Sequence, residues 1–267
     1  MTERQGEKDK VSDLFDLSGR VAIVTGGAGK GYGAQITEAL AQAGALVVIT
    51  SRDADKSVKA ARGYQERGLS VEGFKLELCH EEGICAFVKK VMATYGSIDI
   101  LFNNAAFNQL EPFEKVSVDD WNKVLHVNVT GTMLVSRAVG PQMLRQQKGV
   151  VVNISSIYGV VSPNHSIYGD SGLNSPLVYG VTKAAVIQMT RYLATYWAPA
   201  IRVNCITPGG LYNHQDRNFI KNYEEHTPLG RMAGPDDLKG AAVYLASDAS
   251  AWMTGHNLVV DGGWTIW

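Results

Sequence analysis

A small set of residues has the types and spacing for proton transfer at a carbonyl or an alcohol. Tyr179 and Lys183 stand four apart in a stretch with helical periodicity. That spacing puts both side chains on one face of a helix and brings an ammonium beside a phenol. A free phenol titrates near ~10, and a neighbouring cation favours the phenolate, moving it toward neutral pH. A tyrosine tuned in this way acts as general acid or base on a carbonyl/alcohol pair. Taken alone, Tyr-x-x-x-Lys is common on surface helices. Here it is accompanied by Ser155-Ser156 after the apolar run Val150–Ile154, by Asn103-Asn104-Ala105-Ala106 after an earlier apolar run, by Asn128 between them, and by Pro208-Gly209 further on.

A second cluster has the composition of a phosphate cradle. The run Val21–Val24 leads into Thr25-Gly26-Gly27-Ala28-Gly29-Lys30-Gly31-Tyr32-Gly33, and a helical pattern follows at once. Glycines there let the backbone turn tightly and approach a pyrophosphate at a helix N-terminus. A nucleotide-triphosphate loop is excluded, because it needs Ser or Thr after the lysine and Gly five places before it, where this chain has Gly31 and Thr25. The next strand decides which dinucleotide. An acid at its end would hold the ribose hydroxyls of NAD and repel a 2′-phosphate. The chain has Ser51-Arg52 there, with Asp53 one step later. A hydroxyl and a guanidinium suit a phosphate, and Lys30 is placed to assist, so NADP is expected ahead of NAD. The competing reading leaves Arg52 and Lys30 as solvated charges and turns Asp53 toward the ribose.

These groups need elements to carry them to one place. Apolar runs at Val21–Val24, Leu46–Ile49, Val71–Leu78, Ile98–Phe102, Val150–Ile154, Arg202–Ile206 and Asn257–Val260 read as strands. Between them lie helical stripes: Ile36, Ala39, Leu40 and Ala43 closed by Gly44; Ile84, Phe87, Val88, Val91 and Tyr95; Val181, Ala185, Met189 and Leu193. Pro235, Asp236 and Asp237 are expected to start a late helix bearing Leu238, Ala241, Ala242 and Leu245. Continuous apolar strands alternating with helices predict a parallel sheet covered on both faces, a doubly wound Rossmann-like α/β fold. Such sheets bind ligands at the carboxyl ends of their strands. Residues 1–12 read as a solvated tail and 13–267 as one domain, since no linker or repeat divides them.

Composition bounds the partners. Lys+Arg 25 against Asp+Glu 26 gives a net charge of −1, and no basic block suggests a nucleic acid or an anionic membrane. No apolar run nears the roughly 18 residues of a spanning helix. The charged N-terminus (Glu3, Arg4, Glu7, Lys8) is unlike a signal peptide. Cys79, Cys85 and Cys205 are odd in number and scattered, so neither a disulfide framework nor a metal site is expected. A cytoplasmic protein follows, and the Asn128 and Asn153 sequons are expected to be unglycosylated.

In this order and at these positions, the residues resemble the short-chain dehydrogenase/reductase family, over about Leu14 to Trp264. The resemblance implies that Tyr179 gives or takes the proton at the substrate oxygen and that Ser156 hydrogen-bonds the same oxygen. It implies that Lys183 binds the nicotinamide ribose and lowers the Tyr179 pKa, and that Asn128 holds a water relaying protons from Lys183. Gly26, Gly31, Tyr32, Gly33, Lys30, Ser51, Arg52, Asn104, Ala105, Pro208, Gly209, Leu211 and Asn213 are the implied cofactor contacts, with Tyr179 and Lys183. Dimers or tetramers of identical chains are implied as well, with Trp264 and Trp267 as candidate interface residues.

The chain departs from the family pattern in places. The glycine turn is one residue longer than usual, Ala106 stands where Gly is usual, Glu77 where an Asp commonly meets adenine, and Asn213 where Thr is common. The largest departure is the stretch between Ser156 and Tyr179, about ten residues longer than usual and rich in Gly, Pro, Ser and Asn. It reads as a loop at the mouth of the site. Tyr158, His165 and Tyr168 from this loop, with His214 and Arg217 after Pro208-Gly209, are the candidate substrate contacts. Their polarity predicts a sugar, sugar acid or polyol, and the run Ser155-Ser156-Ile157-Tyr158-Gly159 adds a weaker resemblance to the gluconate 5-dehydrogenase-like subgroup of sugar-modifying oxidoreductases. Two alternatives stand beside this reading: a reductase of 3-oxoacyl thioesters or other ketones, and a non-catalytic dinucleotide-binding sensor or scaffold.

Overall fold

The computed structural model describes residues 10–171 and 173–267. Most of the expected tail, residues 1–9, lies outside the described residues, and a single 3-10 turn occupies Val11–Phe15.

The strands are β1 (Val21–Thr25), β2 (Leu46–Ser51), β3 (Val71–Lys75), β4 (Ile100–Asn103), β5 (Gly149–Ile154), β6 (Ile201–Pro208) and β7 (Asn257–Val260). The helices are α1 (Tyr32–Gln42), α2 (Ala54–Gln65), α3 (Glu81–Tyr95), α4 (Val118–Leu125), α5 (Thr132–Gln146), α6 (Leu177–Tyr196), α7 (Arg217–Glu225) and α8 (Lys239–Ala246). The strands form one parallel sheet in the order β3-β2-β1-β4-β5-β6-β7. The chain therefore builds outward from β1 on one side, then returns to β4 and builds outward on the other. The crevice between the carboxyl ends of β1 and β4 is the switch point at which such sheets open a binding site.

Alternation along the strands supplies two cores. Ala22, Val24, Val47, Ile49, Ile100, Phe102 and Val152 face α1 and α8 through Ile36, Leu40, Ala242 and Leu245. Val21, Ile23, Val48, Leu101, Val151 and Val203 face α3 and α5 through Phe87, Val91, Val135 and Met143. Strands buried on both faces read as unbroken apolar runs, the pattern expected from sequence. A third cluster, Ile157, Ile167, Tyr168, Phe219, Tyr223, Met232 and Trp264, joins the long stretch after β5 to α7 and the chain end.

Several expected boundaries move for identifiable reasons. The late helix starts at Lys239 rather than Pro235, because Asp237 accepts from the Gly234 N–H and pairs with Arg231, holding Pro235–Leu238 in a turn. The strand expected over Val71–Leu78 ends at Lys75, and Leu76 donates its N–H to the Ser51 carbonyl. The strand expected from Ile98 starts at Ile100; the Ile98 N–H is instead held by Gln146. Between α4 and α5 the helix widens into a π-helical segment, His126–Gly131, around Asn128. Among its described residues, the stretch after Ser156 is loop apart from single 3-10 turns at Ile157–Gly159 and His165–Ile167.

Candidate active site

The candidate catalytic groups gather at the carboxyl edge of the sheet, where β1, β4, β5 and β6 end and α6 begins. β1 ends in the glycine turn, whose close approaches are geometric necessities. A Cβ on Gly33 would lie 2.5 Å from Asn104 Nδ2 and 2.7 Å from the Gly26 carbonyl, and one on Gly26 would lie 2.9 Å from Ala105 Cα. Gly26 also sits at φ +70°, where side chains are rarely tolerated. Thr25 ties the turn to the end of β4: its hydroxyl accepts from the N–H groups of Asn104 (3.0 Å) and Ala105 (3.1 Å), and its carbonyl accepts from Asn104 Nδ2 at 2.9 Å. Tyr32, the first residue of α1, donates its hydroxyl to the Gly209 carbonyl at 3.0 Å, spanning the cleft to the end of β6.

The resulting cleft has a volume of about 560 Å³. At one end lie Tyr179, Lys183, Ser155 and Ser156; at the other, Ser51, Arg52 and Lys56; the glycine turn runs between. Gly26, Gly31, Tyr32, Gly33, Asn104, Ala105, Pro208 and Gly209 all line it. This length, with bare backbone at the centre and two cations at the far end, fits a dinucleotide carrying a 2′-phosphate.

Ser156 leaves β5 in extended conformation, and its Oγ accepts from the Tyr158 N–H at 3.3 Å while hydrogen-bonding the Tyr179 phenol. Ser155 is engaged elsewhere, donating to the Lys183 carbonyl at 2.8 Å. The Lys183 ammonium donates to the Ile154 carbonyl at 2.8 Å and lies 5.6 Å from the centre of the Tyr179 ring. Burial favours neutral forms of both groups. It lowers Lys183 to about 8 and pushes Tyr179 above its usual range, with the Ser156 hydrogen bond acting against the rise. Burial is the larger influence on the phenol, and the ammonium is aimed at the Ile154 carbonyl rather than at the phenol oxygen.

Asn128 is buried, and both of its amide protons are used. Oδ1 accepts from the Phe107 N–H at 2.7 Å, while Nδ2 donates to the Phe107 carbonyl at 2.9 Å and to Thr182 Oγ1 at 3.2 Å. The side chain thus staples the segment after β4 to α6, one residue before Lys183. Asn103 lies deeper, donating to Ser136 and to Asn153 under the sheet edge.

Several sequence candidates fall outside the cleft lining. Lys30 is exposed on the turn, Leu211 pairs with Ala233, and Asn213 donates its N–H to Gln215 on the surface. Tyr158 and Tyr168 share a 2.7 Å hydroxyl hydrogen bond, and Tyr168 is buried against Phe219 with ring centres 5.4 Å apart. Tyr158 and His165 line a separate groove of about 530 Å³ beside α6. His214 contacts Tyr212, and Arg217 opens α7 at the surface. In this arrangement the tyrosines brace the long loop, and His214 and Arg217 face solvent. Conversely, Lys56, Phe107, Lys123 and Val127 line the cleft without having been singled out from sequence. The spacing Arg52-x-x-x-Lys56 across a helix start was the available signal for the first of them. Among the described residues, no group of three or more His, Cys, Asp or Glu is placed to hold a metal.

Comparison with known proteins agrees with this geometry. The family model described as enoyl-(acyl carrier protein) reductase matches residues 27–265. A 2-dehydro-3-deoxy-D-gluconate 5-dehydrogenase of Formosa agariphila is 33% identical over 94% of each chain. A 3-oxoacyl-(acyl-carrier-protein) reductase of Aquifex aeolicus is 32% identical over 92% of this chain and 98% of that one. The crystal structure of a gluconate 5-dehydrogenase from Burkholderia cenocepacia, in complex with NADP and tartrate, superposes with a TM-score of 0.89 at 31% identity, covering 97% of this chain and 100% of that one.

Proposed function

The chain belongs to the short-chain dehydrogenase/reductase family, and on that premise we propose that it is an NADP-dependent oxidoreductase interconverting a carbonyl and a secondary alcohol on a sugar, sugar acid or polyol. The observation that carries the reaction is the convergence of Tyr179, Ser156 and Lys183 at one end of a cleft whose middle is a glycine turn. Relatives acting on sugar acids and polyols, and a structural neighbour holding NADP with a small hydroxy acid, support the substrate class.

The cofactor supplies hydride transfer when bound; the remaining work belongs to the chain. Gly26, Gly31 and Gly33 present bare backbone to the pyrophosphate, and Asn104, Ala105, Pro208 and Gly209 wall the central part. Lys183, with one donor on the Ile154 carbonyl, keeps others for the nicotinamide ribose. Tyr179 meets the substrate oxygen with a proton that burial helps it retain, the state needed to protonate a nascent alkoxide. Ser156, which hydrogen-bonds that phenol in the free site, turns its one proton to the same substrate oxygen when substrate is bound. Asn128 holds the Phe107 segment against α6 and so fixes the wall facing Lys183.

The same reading places the protein in the cytoplasm, in keeping with its three free cysteines. It has the chain self-associate as a dimer or tetramer through apolar side chains left exposed, Tyr192 and Tyr196 on α6 and Trp267 at the chain end among them. No helix among the described residues is long and apolar enough to cross a membrane.

The relatives named as 3-oxoacyl reductases keep an acyl thioester as the second reading. Initial rates measured with NADP(H) and NAD(H) in parallel across sugars, sugar acids, polyols and 3-oxoacyl thioesters separate the two. Turnover of a polyol or sugar acid with NADP is the expected result. Turnover confined to the thioesters would transfer the assignment, and cofactor binding with silence across the panel would overturn both.

A further inference from the structure

We infer that Tyr32 and Tyr223 clamp the peptide unit joining Gly209 to Gly210 and so position the wall on which the reactive end of the dinucleotide rests. The inference rests on the NADP reading and deepens it, naming two positioning residues that act through this turn.

The clamp is built on a single peptide group. Its carbonyl, on Gly209, accepts from the Tyr32 hydroxyl at 3.0 Å, and its N–H, on Gly210, donates to the Tyr223 hydroxyl at 2.5 Å. The carbonyl and the N–H of a trans peptide point in opposite directions, so the two tyrosines grip it from opposite sides. Tyr32 comes from the first position of α1 and Tyr223 from α7. A flip of this peptide would break both hydrogen bonds at once.

The sequence of the turn creates the need for such a grip. Two adjacent glycines flip easily, because neither has a side chain to bias its backbone angles. Both are required here. A Cβ on Gly210 would lie 2.8 Å from Tyr223 Cζ, and one on Gly209 would lie 3.0 Å from Asp261 Cα. The flanking peptides are held by backbone: Gly209 N–H donates to the Val260 carbonyl at 3.0 Å, and the Gly210 carbonyl accepts from the Ala233 N–H at 2.9 Å. Neither bond restrains the peptide between them. A separate cavity of about 110 Å³ borders Gly209, Gly210 and Tyr223 and gives the turn room to move.

The Tyr223 post is rigid. It is buried, stacked on Trp264 with ring centres 4.2 Å apart, and its ring lies 6.0 Å from that of Phe219. Burial pushes its phenol up to about 12 and raises Tyr32 as well, so both hydroxyls keep their protons through the neutral range. Tyr32 and Gly209 line the cleft together with Tyr179, whereas Tyr223 does not. Tyr223 therefore reaches a ligand in the cleft through the turn alone.

The test uses the intact protein, with calorimetric affinities for NADP and for 2′,5′-ADP, which carries the adenosine end alone. Tyr223→Phe keeps the ring and removes the hydroxyl. It is expected to weaken NADP about fivefold, the scale of one neutral hydrogen bond, and to leave 2′,5′-ADP within about twofold. At saturating cofactor its kcat should fall about tenfold with the substrate KM little changed. In the cofactor-free protein, amide exchange at Gly210 should quicken. Tyr32→Phe should show the same split between NADP and 2′,5′-ADP, and the double variant should lose little more than either single one. Tyr64→Phe removes a hydroxyl that donates to the Ala34 carbonyl at 3.2 Å, away from the turn, and should change none of these. If Tyr223→Phe keeps wild-type NADP affinity and kcat, or loses NADP and 2′,5′-ADP equally, the clamp is refuted and the NADP reading stands. A wild-type protein that binds neither NADP nor 2′,5′-ADP would overturn that reading, and the clamp with it.

Discussion

At the scale of single residues, the proposed proton transfer turns on two groups whose charged states burial disfavours. Tyr179 keeps its proton above the usual phenol range, and Lys183 loses its own at about 8. A phenol held protonated is ready to complete carbonyl reduction, whereas alcohol oxidation needs it deprotonated first. Oxidation rates are therefore expected to climb with pH on the alkaline side while reduction declines. Tyr179→Phe should lower both by roughly 10²–10⁴-fold with cofactor binding intact, and a variant retaining near-normal turnover would remove Tyr179 from the mechanism. Lys183 makes a separate prediction about stability. Its folded pKa lies below its unfolded value, so between about 8 and 10 the unfolded chain binds more protons and stability rises with pH. Below about 8 both states are protonated, and the penalty, on the order of 3 kcal/mol, is present in full. Thermal melts of wild type should gain over that window relative to Lys183→Met, which has no such proton to lose. Parallel pH profiles for the two proteins would show that the ammonium is not desolvated as described.

At the scale of elements, the sequence could bring most of the proposed site to one edge of the sheet because these residues follow or begin strongly apolar elements whose ends are sharply marked. Asn128 instead sits inside a π-helical segment. Ser156 follows β5, Asn104 follows β4, and Tyr179 and Lys183 open α6. Lys56 was not legible in that way. It lies on α2, which buries only Ser57 and Ala61 and so shows hardly any apolar stripe. The long stretch after Ser156 was legible as a loop, but not in its attachments, which are long-range. Asn222 Nδ2 donates to the Ile167 carbonyl at 3.2 Å, Asn164 Nδ2 pairs with His226 Nε2 at 3.0 Å, and Phe219 stacks on Tyr168. The tyrosines that the sequence offered as substrate contacts share one hydroxyl hydrogen bond, and the loop is held by α7 and the residue after it. Phe219→Ala empties the centre of this attachment and is expected to cost about 3 kcal/mol. It should raise the substrate KM severalfold and leave 2′,5′-ADP affinity unchanged, because the adenosine end of the cleft is built by β2 and α2. Equal losses in both, or in neither, would show that the loop does not shape the substrate end independently.

At the scale of the whole molecule, the parallel sheet was the most legible feature, since strands covered on both faces leave an unbroken apolar signature. What lies beyond one chain left a fainter trace. Trp264, a candidate for a contact between subunits, is instead buried within its own chain, stacked on Tyr223 with ring centres 4.2 Å apart. Deleting the last four residues would therefore damage the cluster of Tyr223, Phe219 and Tyr168 and would report on folding as much as on assembly. The outer face of α6 is a cleaner probe. That helix buries Val186, Ile187 and Thr190 inward, yet also carries Leu177, Val181, Tyr192 and Tyr196 outward, the last two stacked on each other and more than half exposed. A helix apolar on both sides is usually covered on both sides. Tyr192 lies roughly 20 Å along the helix from Tyr179 at 1.5 Å per residue, so charge placed there should not reach the chemistry directly. Tyr192→Glu combined with Tyr196→Glu is expected to reduce the mass seen by light scattering, while the far-ultraviolet circular dichroism stays that of the wild type. If the mass does not change, this face is not where copies of the chain meet, and the exposed Ile266 and Trp267 become the surface to alter next.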